Sequence, residues 1–270
     1  MKNIIVGINQ PYYLPYIGFF DRMKACDVFV INGYYPLNRK GTHHKRVKII
    51  QLKQNNEKDG LYLIEKIGKK VNKKLFNKIV LGESFWKSQK DHIDTLYRTY
   101  RRGPGFEYTK KLLEQMEDDS CITLGEYNFR LIVFLADRLR LKDKILDITK
   151  EKSFPKEIFT KKRNKDQSNK ATYCNLMTCK FFGANLHIAG QNGPLWLDEK
   201  EFINNKIDVL YQKVGFVEYR QYPQKEIFLN GLSVVDLLFN CGENAKNIIG
   251  CGSTFVDRET LLRTTKLTGR

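Results

Sequence analysis

Gln10-Pro11-Tyr12-Tyr13-Leu14-Pro15-Tyr16 is the segment with the clearest means of holding a small molecule. Gln10 offers a donor and an acceptor, and Tyr12, Tyr13 and Tyr16 offer hydroxyls and flat faces. Two prolines stiffen the backbone between them. Such a set suits a sugar ring, or a base joined to phosphate. Gln10 and Tyr13 are the first candidates for ligand contact. Tyr16 joins the set, although packing beneath a neighbouring helix is the favoured reading for it. For proton transfer the candidate is His92, which stands near Trp86, Asp94 and Tyr97 and has an ordinary pKa suited to work near neutrality. An exposed helix histidine is the competing reading. Arg98, Arg101 and Arg102 precede a Gly103-Pro104-Gly105 stop, and their forks suit a pyrophosphate as well as a solvated helix end. Gln224 and Asn230 lie in loops before a late helix, where amides can bond sugar hydroxyls.

Other reactive side chains point to less. His43 and His44 lie in a basic loop and could grip phosphate, whereas His187 falls in a strand and reads as structural. No cysteine lies near the histidine pair, so a structural zinc site has no support. The six cysteines form no C-x-x-C pair and are expected to be reduced. Ser233 lacks the G-x-S-x-G surroundings of a nucleophile elbow.

The elements around these residues alternate between strand and helix. A β-branched run from Lys2 to Ile8 reads as a buried strand, the proline turn follows, residues 17–25 have helical spacing, and Val28–Ile31 is a second strand. That unit implies a parallel pair. It also places the turn at a strand C-terminus and a helix N-terminus, where open α/β sheets bind ligands and anions are favoured. Further strands are expected over 47–52, 145–148, 184–189 and 209–214. Helices are expected from Trp86 to Tyr100, from a Thr123/Glu126 capping box to about Leu141, and over 172–182, 198–204 and 234–240. The last carries Ser233 and Asp236 as caps. A helix start is expected within the lysine-rich stretch 66–78, and residues 150–170 read as a surface loop over the site or a plain connector. The expectation is one α/β domain over 1–270, with a largely parallel sheet flanked by helices, a Rossmann-like core with helical insertions, and a helical lobe around 73–141.

Several of these blocks match a known family. Residues 10–20 with Asp27-Val28-Phe29-Val30-Ile31, then Trp86 through His92 to Tyr100 with Pro104 and Phe106, resemble WbqC-like proteins. So do Leu124-Gly125-Glu126-Tyr127-Asn128, Phe182-Gly183-Ala184-Asn185, Leu195-Trp196-Leu197-Asp198, Tyr222-Pro223-Gln224 and Leu232 to Asn240. The blocks occur in the family's order over most of the chain. The resemblance brings Asn128 into the substrate-binding set and implies a role beside enzymes that build O-antigen and related surface polysaccharides. Residues 32–46 depart from the family, with Asn32-Gly33-Tyr34-Tyr35-Pro36 and a basic stretch where relatives carry acidic and Trp/Asn/Arg-rich segments. Strand, turn and Tyr16-Ile17-Gly18-Phe19 are also laid out like a nucleotidyltransferase His-x-Gly-His site, but aromatics hold both histidine positions, which argues against adenylyl transfer.

Forty-seven Lys and Arg against thirty Asp and Glu give a net charge of +17. Nucleic-acid binding, an anionic membrane surface, a phosphorylated substrate and a lysine-rich composition all accommodate it. No apolar run approaches the ~20 residues of a membrane span. The apolar run Ile4 to Ile8 is too short for a signal peptide, and a cytoplasmic location is expected. Together these readings favour a transferase that moves an acyl or aminoacyl group to the amine of a nucleotide-linked amino sugar, with aminoacyl-tRNA or an acyl thioester as candidate donors and no metal. The alternatives are a basic RNA-binding, possibly tRNA-binding, protein without catalysis, and a scaffold for polysaccharide enzymes.

Overall fold

The computed structural model describes residues 3–37, 46–52, 58–68, 71, 73–159, 169–222 and 228–267. A six-stranded sheet organises them. Its strands are β1 (Ile5–Asn9), β2 (Val28–Ile31), β5 (Ile145–Asp147), β6 (Leu186–Ala189), β7 (Asp208–Lys213) and β8 (Thr254–Val256), in the order β5-β2-β1-β6-β7-β8. All neighbours run parallel except β7 and β8. A separate antiparallel pair, β3 (Arg46–Leu52) and β4 (Lys58–Ile64), packs outside this sheet. The chain is therefore a Rossmann-like α/β fold.

Strand alternation explains the two layers. Phe29, Ile31 and Ile188 point to one face and join α1 (Ile17–Ala25), α2 (Glu83–Tyr100), α5 (Leu124–Arg138) and α8 (Val234–Cys241) in a large apolar core. Val6, Ile8, Val30 and Ala189 point to the other face and pack with α6 (Lys170–Phe181) and α7 (Glu199–Asn204) in a second core. From β1 the chain crosses to β2 through α1, and it reaches β6 and β7 through α6 and α7 on the opposite face. The strand order therefore reverses between β1 and β6, and the crevice at their C-terminal ends is the topological switch point.

The expected βαβ unit, the three later core strands and the Thr123–Glu126 capping box all appear. Thr123 Oγ1 accepts from Glu126 N, and Glu126 reaches back to the Thr123 amide at 3.0 Å. Three details differ. Among the described residues of 66–78 the helical structure is 3-10, at Val71 and Phe76–Lys78, and lysines spaced four apart repel on an α-helix face. Asp236 is not a cap but a buried carboxylate that accepts from Tyr100, Tyr219 and Gln221. The helix α8 is followed by α9 (Ala245–Ile248), the antiparallel strand β8 and α10 (Arg258–Thr264). Four of the eight Lys and Arg residues of 150–170 lie outside the described residues, so the expected surface loop does too in that part.

Candidate functional site at the sheet crossover

The turn after β1 is pinned from two sides. Its carbonyls are taken in sequence. Tyr12 N donates to Gln10 O, Asn128 Nδ2 to Pro11 O at 3.0 Å, Ser233 Oγ to Leu14 O at 2.7 Å, and Val234 N to Pro15 O at 2.9 Å. Leu14 is fully buried and holds a positive φ of 38°. A leucine pays about 1–2 kcal/mol for that conformation, so the surrounding contacts must enforce it.

Two environments result within one turn. Tyr13 points inward, where its hydroxyl lies 2.9 Å from Gln89 Oε1 and 2.8 Å from His92 Nδ1. The one Tyr13 proton serves either Gln89 Oε1 or, when the ring carries its proton on Nε2, His92 Nδ1. The Tyr127 hydroxyl lies 2.9 Å from the same Gln89 oxygen and 3.1 Å from Met116 O, and its one proton serves one or the other. His92 is only 6% exposed. Burial lowers its pKa to about 4, opposed by Asp91 and by a hydrogen bond with the Ile64 backbone. Burial also pushes the Tyr13 hydroxyl well above its ordinary value, with Tyr127 and the buried Glu65 adding to the shift.

Gln10 and Tyr12 point the other way, into a cleft of about 500 Å³ at the β1/β6 switch point. Asn9 and Gln10 come from the end of β1, Tyr35 from the loop after β2, Asn175 from α6, and Asn192 and Trp196 from the segment after β6. Ile8, Ala171 and the half-exposed Leu195 supply apolar surface. No charged side chain is among these lining residues. The Tyr35 hydroxyl donates to Asn175 Oδ1, which leaves that amide's amino half to act as a donor. Gln10 Oε1 and Asn192 Oδ1 are buried and meet no hydrogen-bond partner. Both oxygens are closed to solvent, so a ligand donor reaches them only when the side chains turn toward the cleft. Burial pushes the Tyr35 hydroxyl well above its ordinary value, so it stays a neutral donor.

A smaller cleft of about 130 Å³ lies on the other side of the turn, with Tyr12, Tyr16, Arg46, Lys48 and Tyr62 in its wall. Tyr12 lines both clefts.

The other sequence candidates scatter. Asn128 is fully buried behind the turn. Tyr16 lines the smaller cleft, its pKa raised by burial to about 12. Asn230 lines a narrow crevice beside Ile17 and Tyr219. Arg101 and Arg102 are exposed at the C-terminal end of α2, with Arg101 over the Tyr97 ring, and neither lines either cleft. Gln224, His43 and His44 lie outside the described residues. Only Gln10 of the selected set lines the larger cleft. Asn9, Tyr35, Asn175, Asn192 and Trp196 were not singled out. Asn9 and Asn192 carry a readable signal, since each closes or follows a strand at the switch point. No group of three His, Cys, Asp or Glu among the described residues could hold a metal, and no described helix is long and apolar enough to cross a membrane.

The family model described as the WbqC-like protein family matches residues 10–248. No curated protein and no solved structure matches the chain.

Proposed function

This chain belongs to the WbqC-like protein family, and we propose that it is a transferase of surface-polysaccharide biosynthesis that places an acyl or aminoacyl group on the amine of a nucleotide-linked amino sugar. The observation that carries the reading is the amide-and-aromatic cleft at the β1/β6 switch point, whose wall includes Gln10 and Asn192, each with a buried oxygen that meets no protein partner. Uncharged amides match sugar hydroxyls and an amine, and the Trp196 and Tyr12 rings give apolar faces for sugar C–H groups. Carbonyl oxygens that accept from the amine would orient its lone pair toward the incoming acyl carbon.

In this reaction the amine nitrogen forms the new N–C bond. The C–O bond of an aminoacyl ester or the C–S bond of a thioester breaks, and the amine proton ends on the departing oxygen or sulfur. The titratable side chains in the cleft wall are tyrosines, so we assign the protein's contribution to orientation. His92, buried behind Tyr13, serves here as a positioning residue for the turn. The reaction and its substrates support a cytoplasmic location.

The test is incubation of the full chain with nucleotide-linked amino sugars and either aminoacyl-tRNA or acyl thioesters, followed by mass spectrometry of the sugar. We expect an increase by one acyl group that is abolished in Trp196→Ala. An unchanged sugar mass with every donor would sink the reading.

A further inference from the structure

A nucleotide-linked sugar brings a diphosphate, yet no described residue in the wall of the larger cleft is a cation. The cations stand across Tyr12. Arg46 and Lys48 lie on β3, and the antiparallel register sets Lys48 opposite Tyr62 of β4. The Arg46 guanidinium sits 4.9 Å from the centre of the Tyr62 ring, and its buried Nε meets no hydrogen-bond partner. Neither Arg46 nor Lys48 forms a salt bridge with any described acidic residue, and no described carboxylate lines this cleft. The Leu14 and Pro15 carbonyls at its floor are already engaged by Ser233 and Val234, so they are not bare oxygens facing an anion. Gly60 makes room for the Lys48 stem, since a Cβ there would stand 1.8 Å from Lys48 Cε.

We propose that the small cleft walled by Tyr12, Tyr16, Arg46, Lys48 and Tyr62 binds the diphosphate of the nucleotide-linked sugar, whose glycosyl unit occupies the larger cleft on the far side of Tyr12. This rests on the amino-sugar reading above. An arginine already stacked on an aromatic ring loses little freedom when it forks onto a phosphate, and a lysine on a flexible stem adds a second charge. Tyr16, held neutral, can donate from the side. The volume of about 130 Å³ accommodates phosphates rather than a complete nucleotide, so the nucleoside extends outward along the ribbon. The other buried cation near the crossover, Arg22, is 5% exposed, packs over Phe29 beneath Gly190 and lines neither cleft.

The experiment is calorimetric titration of the full chain with inorganic pyrophosphate, uridine diphosphate and UDP-N-acetylglucosamine at one fixed salt concentration. It compares wild type, Arg46→Gln/Lys48→Gln and Trp196→Ala, with melting curves confirming the fold of each. We expect the double variant to bind all three probes at least ~10-fold more weakly, as the loss of two charge-assisted contacts implies. Arg46→Lys, which keeps the charge without the fork, should fall between. Trp196→Ala should lose the affinity difference between the nucleotide sugar and the bare diphosphate while keeping the latter. If Trp196→Ala weakens the nucleotide sugar and the double variant does not, the phosphate site is wrong and the sugar cleft stands. If the double variant weakens pyrophosphate while the sugar contributes nothing to affinity, the phosphate site stands and the amino-sugar reading fails. No binding of any probe to wild type overturns the inference.

Discussion

Gln10 and Tyr12 line an open cleft, and the buried Gln10 Oε1 meets no partner, whereas Tyr13, the next residue, faces a core in which hydroxyl, amide and imidazole satisfy one another. The residue types on the two sides are nearly the same. What separates them is where their hydrogen bonds end. In the core the Tyr13, Gln89, His92 and Tyr127 contacts are mutual, with only the Gln89 Nε2 atom unmatched in that set. In the cleft the Gln10 and Asn192 oxygens wait for something the fold does not supply. A polar side chain near a binding turn is therefore evidence of a ligand only when its partners are missing. Under the proposed function His92 supports the turn and does not transfer a proton.

The comparison breaks most readily at His92. His92→Ala should lower unfolding free energy by roughly 2–4 kcal/mol, since it opens a cavity and strips Tyr13 of a partner. Urea unfolding monitored by circular dichroism measures this. Turnover per folded molecule should keep its pH profile. A loss of turnover with no loss of stability would return His92 to the chemistry.

Acid titration separates the same regions. Burial lowers His92 and His187 to about 4 from an ordinary 6.5. Between these values the unfolded chain binds protons that the folded chain does not, so stability is complete above about 6.5, falls as pH drops, and levels off below about 4. A shift of this size corresponds to about 3 kcal/mol per histidine. Denaturation midpoints from pH 7 to 4 should show this fall, and His92→Gln should remove part of it. A flat midpoint would mean that the buried imidazoles are not held neutral. Affinity in the tyrosine-and-amide cleft should change little over this window.

Much of the fold is legible in the sequence, because it follows from periodicity and capping. The strand runs at 5–9 and 28–31 and the box at Thr123 are local signals, and the structure keeps them. The lysine stretch 66–78 misleads because repeated charge decides there against the helix. The site is less legible. Gln10 can be found from its place after a strand, and the Asn9/Asn192 pairing follows once β6 is known to neighbour β1. Tyr35, Asn175 and Trp196 converge through tertiary packing from three separate segments, which no local spacing records. Likewise, no pattern separates Tyr12 from Tyr13. The alternation appears only when Asn128 and Ser233 are seen to fix the backbone between them.

Gln10→Ala should cost the cleft about 5–10-fold in nucleotide-sugar affinity, in line with the ~1–1.5 kcal/mol of one hydrogen bond, and leave stability nearly unchanged because no folded partner is lost. Titration calorimetry paired with thermal melting reads both quantities. A clear drop in melting temperature would show that Gln10 belongs with the core side of the turn after all. Tyr35→Phe is the finest probe. Its hydroxyl touches Asn175 and lies at the cleft wall, so removing it frees the Asn175 oxygen rather than a ligand contact. Affinity should fall only about 2–3-fold, within the lower range for a single neutral hydrogen bond. The change should be larger for an amino sugar than for its N-acetylated form if the released amide competes for the amine. Equal effects on both sugars would place the amine away from Asn175 and nearer to Gln10 and Asn192.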